Sequence, residues 1–559
     1  MSLPNLFVAT GTPGTRAANF NDLERAFSVQ SGYNIAKLVA LGFTGNGTAS
    51  DRAAIQAFID STTGDIQFHF PAGMTIALDG PIKTPGSRNV RIEGRATFVM
   101  LKPNVNAWQH GVGAPGTGTF DAHDLTFRPH PQGGGVAFNL SFIGLADPTG
   151  GHYSIKNCTF GFEGSKAPSG VFTSWAIGLA VLGAWNSDIE NCVIMMPNAG
   201  PGVTAQGVLI GGTEGSAPSN PVSTATTFSG VLIQGGLNAI AITGQVQGIH
   251  LVNCNLVGCD YGVYWPAGPA DGADLLTIAS SHINAGVRGI YCSNVLTTQT
   301  SGGVYFLHFP SYPPSAGLRW AAVELDEPGK SSLQSCNVLG QGNLGYAEYG
   351  VWLHGTGGAS HYPSMVCSNV FQSIGGPGVQ IDGAVSKVSV FGNNFEGQGA
   401  AGFTTAGVVQ NLSTDSTGNY IGLNVNNGLS PLEVNYADRT VFSGFNWSLA
   451  LLNCGQITGT TLIDTGGLEV GKSGVGQNID FHSTGAGVQQ NDYDFRLLGQ
   501  NAGSGSGQGD LYAIGRRLYL QTAFNLVLPS YASDAAAAAG GVMLNDLYRN
   551  GNVVQVRIA

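Results

Sequence analysis

The chain is poor in charge, in cysteine and in long apolar runs, and these shortages exclude several classes of protein. Only 10% of its 559 residues are charged while 43% are hydrophobic, a balance that excludes an intrinsically disordered chain. No apolar run reaches transmembrane length, and Met1 to Phe20 lacks the basic-then-apolar plan of a signal peptide. The net charge of −11 argues against nucleic acid or membrane insertion, so neither is expected as a partner.

Glycine, in contrast, is abundant, and it belongs to a repeated phrase. The 85 glycines show no G-x-y period, which excludes collagen. About every 30 residues the chain repeats a small residue, an apolar residue, any residue and a second apolar residue. The copies begin at Gly178, Gly207, Ala239, Gly262, Gly289, Ala322, Gly350, Gly378 and Gly407. Such a period is typical of a unit that buries its apolar face by stacking on its neighbours.

A second phrase, which starts with Asn, Ser or Gly, runs in step with the first. Its copies begin at Asn157, Asn191, Asn253, Ser280, Ser335, Ser368 and Gly392. Each follows a strand-like run, so every period holds two β-type runs and no room for a crossover helix. The pattern predicts an all-β fold, a parallel β-helix solenoid over residues 46–430.

Cysteine occupies matching positions of the second phrase. Four of the eight cysteines take this position: Cys158, Cys192, Cys254 and Cys336. Because the position repeats coil after coil, we predict an internal stack of reduced thiols rather than disulfide bonds.

The remaining chain divides into two end regions. Residues 1–45 form a short lead-in, and residues 431–559 lose the period and keep short alternating segments. Between the lead-in and the coils, Ser50 to Asp60 predicts an amphipathic helix with Ser50 as its N-cap. Its apolar face, predicted to cover the open end of the coil stack, comprises Ala54, Ile55, Phe58 and Ile59.

Two stretches of the chain resemble known proteins. The stretch Gly45-Asn46-Gly47-Thr48-Ala49-Ser50-Asp51-Arg52-Ala53-Ala54-Ile55-Gln56-Ala57, with Phe70-Pro71-Ala72-Gly73 after it, resembles the opening of pectate-lyase-like right-handed parallel β-helix proteins. The tail from Asp534 to Val542, with Leu547-Tyr548-Arg549, is similar to the endings of bacteriophage tail fibres and tailspikes.

The resemblance to tailspikes implies a function and partners. It implies a homotrimer in the virion tail that binds and cleaves a bacterial surface polysaccharide: capsule, exopolysaccharide or O-antigen. Residues 431–559 would then serve trimerisation or receptor binding. The short lead-in would attach to the phage tail, its baseplate or an adaptor protein. These proteins share a scaffold and no catalytic signature, so the resemblance assigns no active residue.

Alternation along the first phrase predicts which side chains share one outer face. The x position, and the positions two residues after it and two before the small residue, are expected to point outward. In the later coils these positions carry aromatic, acidic and amide side chains suited to binding sugars. The predicted substrate-binding residues there are Asp260, Tyr264, Tyr291, Trp320, Glu348, Trp352 and Gln380.

Four further outward residues suit catalysis. Glu324 and Asp326 lie two residues apart on one strand, with Cα atoms about 6.6 Å apart, which fits the carboxyl pair of a glycoside hydrolase. His354 is expected between Asp326 and Asp382, as a general base for a lyase. Acidic residues at this spacing are also common on solvated strands.

Four functions stay open: a tailspike glycoside hydrolase, which is favoured, a tailspike polysaccharide lyase, a receptor-binding tail fibre without activity, and a cellular β-helix enzyme unrelated to phage, such as a polysaccharide lyase or sugar transferase. For a lyase, Arg288 or Arg319 would neutralise the uronate carboxylate. The sequence has no zinc spacing, phosphate-cradling loop or calcium loop, so no metal or cofactor is expected.

Overall fold

The computed structural model describes most of the chain between residues 35 and 426 and several short segments after it. The described residues are 35–112, 116–141, 151–161, 174–198, 202–211, 223–243, 246–266, 275–295, 297–308, 319–342, 348–360, 362–396, 409–414, 418–422, 424–426, 434–436, 477–481, 495–500, 510–515 and 528–558.

Strands dominate these residues. The helices are α1 (Ile35–Ala40), α2 (Arg52–Ser61) and α3 (Asp534–Ala539). The strands are β1 (Asn46–Ser50), β2 (Ile66–Phe70), β3 (Thr75–Leu78), β4 (Ile82–Thr84), β5 (Val90–Gly94), β6 (Thr97–Met100), β7 (Trp108–His110), β8 (Thr119–His123), β9 (Thr126–Arg128), β10 (Val136–Ser141), β11 (His152–Lys156), β12 (Thr159–Phe160), β13 (Ile177–Leu182), β14 (Trp185–Glu190), β15 (Val193–Met195), β16 (Gln206–Gly211), β17 (Ser223–Ser229), β18 (Leu232–Gln234), β19 (Asn238–Thr243), β20 (Val246–Val252), β21 (Asn255–Trp265), β22 (Leu275–Ala279), β23 (His282–Ser293), β24 (Thr297–Ser301), β25 (Tyr305–His308), β26 (Trp320–Asp326), β27 (Lys330–Gln334), β28 (Asn337–Leu339), β29 (Glu348–Ser360), β30 (Ser364–Cys367), β31 (Val370–Gln372), β32 (Val379–Val385), β33 (Val388–Phe391), β34 (Asn394–Glu396), β35 (Val409–Ser413), β36 (Tyr420–Gly422), β37 (Val425–Asn426), β38 (Val434–Tyr436), β39 (Gln477–Phe481), β40 (Phe495–Gln500), β41 (Asp510–Gly515), β42 (Leu547–Asn550) and β43 (Val553–Val556).

Strands β1 to β38 wind into a right-handed parallel β-helix, which confirms the predicted fold class. Each coil contributes one strand to each of three parallel sheets. Sheet 1 has 13 strands and runs from β2 to β36, whereas sheets 2 and 3 share the long strands β21 and β23 and together hold 25 strands. Sheet 2 runs from β1 through β28 to β37, and sheet 3 runs from β4 through β26 to β38.

The second sequence phrase forms the turn between sheet 1 and sheet 2. Its first residue takes a left-handed conformation, with φ between 48° and 55° at Asn157, Asn191, Asn253, Ser280, Ser335 and Ser368. Asn and Gly reach this conformation most easily, which explains why the phrase begins as it does. The cysteine that follows points inward: Cys158, Cys192, Cys254 and Cys336 are buried and unbridged, as predicted.

The first sequence phrase lies in sheet 3, and its small residue faces the interior. A Cβ atom added to Gly350 would lie 2.5 Å from the ring of Phe371 in sheet 2, and one added to Gly289 would lie 2.8 Å from Phe306. Close packing between sheets 2 and 3 therefore requires the small residue. The next residue, Val351 in this coil, is buried as well, so alternation breaks at the small position.

The helix before the coils is α2, whose buried residues are the four predicted: Ala54, Ile55, Phe58 and Ile59. Its N-cap is Asp51 rather than Ser50. The Asp51 carboxylate accepts hydrogen bonds from the backbone N–H groups of Thr44 and Gly45, while Ser50 donates to Asp79. Because the Asp51 carboxylate is hydrogen-bonded to the preceding turn, the helix begins one residue later than its sequence pattern indicates.

The chain divides into two compact units, residues 1–445 and residues 446–559. The described part of the second unit holds the antiparallel strands β39 to β41, helix α3 and the hairpin of β42 and β43. None of the helices in the described segments is long and apolar enough to cross a bilayer.

Candidate functional site

The outer face of sheet 3 aligns the predicted residues coil by coil. Tyr264, Tyr291, Glu324, Trp352 and Gln380 follow one another in register, which confirms the predicted order of the x position. Two residues further along each strand, a second outward column is also in register: Ser293, Asp326, His354 and Asp382. These two columns form the candidate site.

Glu324 lies at the centre of the site, although it is only 6% exposed. Its carboxylate forms an ion pair with the Arg288 guanidinium, and its Oε1 lies 3.0 Å from His354 Nε2. Burial raises the pKa of Glu324, but the hydrogen bonds and positive charges of His354 and Arg288 outweigh it and hold the pKa below its ordinary value. Glu324 is therefore ionised at neutral pH.

His354 joins two carboxylates. Its Nε2 faces Glu324, and its Nδ1 lies 3.3 Å from Asp326 Oδ1. Burial lowers the pKa of His354, but the hydrogen bond to Glu324 and the charges of Glu324, Asp326 and Asp382 raise it above its ordinary value. An imidazole donates to a carboxylate at each nitrogen only in its protonated form, and the carboxylate neighbours of His354 favour that form.

Asp382 is held by donors on its own strand and on the neighbouring strand. Trp352 Nε1 lies 3.0 Å from Asp382 Oδ2, and Gln380 Nε2 lies 2.6 Å from the same oxygen. The Trp352 ring also packs against the His354 ring, with centroids 4.6 Å apart. On the other side, the Ser293 hydroxyl donates to Asp326 Oδ2 across 3.1 Å. The network thus spans four consecutive coils.

An aromatic surface continues the site toward the earlier coils. Tyr264 and Tyr291 stack with centroids 5.5 Å apart, and Tyr261 packs edge-on against Tyr264 at 4.9 Å. Burial and the carboxylates of Asp326 and Glu324 raise the pKa of Tyr291 to about 12, so its phenol stays neutral. Half-buried aromatic rings beside carboxylates are suited to contact the apolar faces and hydroxyls of sugars.

The predicted outward position is wrong for Trp320 and Glu348. Trp320 is 1% exposed and stacks on His308, and Glu348 is fully buried, where it pairs with His308 and accepts from the backbone of Gln341. The cause is the break in alternation at the small residue. Because of this break, the side chain two residues before the small residue faces inward, so neither Trp320 nor Glu348 reaches the outer face.

The same break brings the residue just before the small position to the outer face. Tyr261, Arg288 and Tyr349 take this position, in register through Ala321. Arg288, predicted to neutralise the uronate carboxylate of a lyase substrate, pairs with Glu324 inside the site. The sequence analysis missed Tyr261 and Tyr349. The repeat phrase identifies both positions once alternation is known to break at the small residue.

Two further predicted residues lie at the edges of the site. Asp260 is half-buried beside Tyr261, and burial raises its pKa. Arg319 is exposed and donates from Nη1 to the Tyr349 hydroxyl across 2.6 Å. Its Cζ lies 5.5 Å from the Tyr349 ring centre and 5.6 Å from that of Trp352. Among the described residues, no group of three or more His, Cys, Asp or Glu side chains is placed to hold a metal ion.

No protein-family model matches the chain, and no curated protein matches it. Several solved structures, in contrast, do match the chain. An N-terminal fragment of gene product 12 of bacteriophage phi29 is 13% identical over 70% of this chain and 71% of that chain, with a TM-score of 0.43. Tailspike protein 3 of bacteriophage CBA120 is 11% identical over 69% and 59% of the two chains, with a TM-score of 0.43.

An α-1,3-glucanase catalytic unit from Streptomyces thermodiastaticus is also similar. It is 12% identical over 70% of this chain and 69% of that chain, with a TM-score of 0.42. At these identities the sequence positions of one protein do not transfer to another. The fold rests on the sheets themselves: by its three parallel sheets and coil-by-coil register, the chain is a right-handed parallel β-helix protein.

Proposed function

We propose that the protein binds a bacterial surface polysaccharide on the outer face of sheet 3 and cleaves it by glycoside hydrolysis. The observation that carries the proposal is the placement of two half-buried carboxyl groups, Asp326 and Asp382, on either side of His354. Stacked tyrosines continue the same face, where further sugars of the polymer would bind.

Asp326 and Asp382 suit the reaction better than Glu324 does. Glu324 is buried and committed to Arg288 and His354, so it is a positioning residue rather than a group that touches the sugar. Asp326 and Asp382 are two coils apart in register, about 9.6 Å between Cα atoms. Inverting glycosidases hold their two carboxyl groups about 6.5–9.5 Å apart, with room for a water molecule, and a Cα spacing of this size allows such a carboxyl separation.

The proposed reaction needs one carboxyl group as acid and one as base. The acid protonates the leaving glycosidic oxygen, and the carboxylate removes a proton from the water that attacks the anomeric carbon. His354 positions Asp326, with Nδ1 3.3 Å from Asp326 Oδ1, whereas the donors Trp352 and Gln380 position Asp382. A lyase would need His354 as a neutral base, but both of its ring nitrogens face carboxylates.

The test is the release of reducing ends from a panel of bacterial capsules, exopolysaccharides and O-antigens. Asp326→Asn and Asp382→Asn should each lower the rate at least about 100-fold, the usual scale of a lost acid or base. Asp188→Asn, on sheet 1, is the matched control and should keep full activity. Full activity in both site variants would overturn the site. Retention of polymer without shortening by the wild type would show a receptor-binding fibre instead.

We also propose that the protein acts as a homotrimer in a phage tail, attached through a tail, baseplate or adaptor protein. The support is an apolar surface on the hairpin of β42 and β43 and its flanks. Met543, Val553 and Ile558 are 71%, 59% and 77% exposed. Exposed apolar patches of this kind mark association surfaces. Light scattering should give three times 57.6 kDa, and Val553→Asp with Val554→Asp should lower that mass.

A further inference from the structure

Arg319 lies at the edge of the proposed polysaccharide site, and its chemistry specifies the substrate further. We infer that Arg319 binds the carboxylate of a uronate sugar, so that the substrate is an acidic polysaccharide. The inference rests on the proposed function, because it takes the outer face of sheet 3 as the binding surface.

The guanidinium of Arg319 is oriented by its neighbours before any ligand binds. It lies over the rings of Tyr349 and Trp352, at 5.5 Å and 5.6 Å from their centres, and it donates to the Tyr349 hydroxyl. Cation–π contacts of this type hold the planar group while leaving its other N–H donors accessible. Arg319 itself is exposed, so these donors reach a ligand.

The charge of Arg319 is not neutralised within the described part of the site. Arg288 pairs with Glu324, and His354 faces Glu324 and Asp326. In contrast, none of the described carboxylates lies within 4.0 Å of the Arg319 guanidinium nitrogens. A site built mainly of carboxylates repels an anionic polymer unless a cation receives the anionic group. Arg319 is in position to do so.

The position of Arg319 fits an anionic group carried on a sugar ring. Arg319 lies over Trp352, whose ring faces His354 and whose Nε1 donates to Asp382. A sugar that reaches Asp382 therefore passes close to the guanidinium. The two parallel N–H donors of arginine match the two oxygens of a carboxylate, which lysine does not reproduce.

The experiment measures binding by affinity electrophoresis in an Asp326→Asn background, which prevents cleavage. The probes are polygalacturonate, hyaluronan and alginate, each before and after chemical reduction of its carboxyl groups, with dextran as the neutral polymer. At least one uronate polymer should retard the protein. Reduction of that polymer, or Arg319→Met, should weaken binding about 10- to 100-fold, and Arg319→Lys should weaken it less. Arg128→Met, an exposed arginine on sheet 2, should change nothing.

Three results would overturn the inference: retardation by none of the uronate polymers, equal retardation by the reduced polymers, or unchanged binding in Arg319→Met. Cleavage of a neutral polysaccharide by the wild type would also overturn it while leaving hydrolysis intact. If binding of a uronate polymer depends on Arg319 but the wild type does not cleave that polymer, the result would support the Arg319 subsite and contradict the hydrolase.

Discussion

The ion pair between Arg288 and Glu324 gives the sharpest prediction about stability. Its side chains are 8% and 7% exposed, whereas those of the pair between Lys156 and Glu190 on sheet 1 are 34% and 37% exposed. Glu324→Gln leaves the Arg288 cation buried without its partner. Breaking a buried ion pair in this way costs about 3–5 kcal/mol, while an exposed pair contributes about 0–1 kcal/mol.

The assay compares thermal unfolding of Glu324→Gln with that of Glu190→Gln, the same chemical change on an exposed pair. Glu324→Gln should lower the melting temperature markedly, and Glu190→Gln should leave it almost unchanged. The double variant Arg288→Met with Glu324→Gln should recover at least half of the loss, because no unpaired charge remains buried. Equal shifts in the two single variants, or no recovery in the double variant, would show that burial of the Arg288–Glu324 pair does not set its contribution to stability.

His354, Asn393 and the buried cysteines each allow a further test. The pKa of His354 is raised in the folded state, so its stabilising contribution is complete below about pH 6.5 and is lost as the pH rises through the folded pKa. Melting temperatures measured from acid to alkaline pH should therefore fall less steeply in His354→Gln than in the wild type. Asn393 accepts from the backbone and side chain of Asn369 inside the coils, so Asn393→Ala should cost about 1–3 kcal/mol, while Asn394→Ala on the outer face should cost much less; denaturant titration checks both. The seven described cysteines are buried, and a thiol reagent should modify them only after denaturation.

The register of sheet 3 could be predicted from the sequence because each coil carries one small residue at an equivalent place. Aligning Gly289, Ala322 and Gly350 aligned the residues that follow them, and the structure pairs Tyr291, Glu324 and Trp352 in that order. The outward column was therefore correct across the later coils.

The side chains before the small residue could not be predicted by alternation alone. Strict alternation turns Trp320 and Glu348 outward, but the small residue and its successor both face inward, so the phase shifts by one. The break depends on packing between Gly350 and Phe371, residues of two different sheets. A pattern read along a single strand does not contain that contact.

The side-chain contacts of Glu324 could not be predicted from the sequence pattern either. The ladder predicts which backbone positions are adjacent, and it placed His354 between Asp326 and Asp382. The side chain of His354 reaches diagonally to Glu324 as well, and Arg288 meets the same carboxylate from the preceding coil. These contacts depend on side-chain rotamers and on burial. For this reason we propose that Glu324, predicted as one of the catalytic carboxyl groups, is a positioning residue.

Isotope incorporation is the decisive test of hydrolysis on the outer face of sheet 3. The wild type is incubated with a polysaccharide that it shortens, in water enriched in heavy oxygen, and the products are weighed by mass spectrometry. Hydrolysis should place one heavy oxygen atom at each new reducing end, and this product should be lost in Asp326→Asn and Asp382→Asn. Products that carry an unsaturated uronate and no heavy oxygen would contradict it.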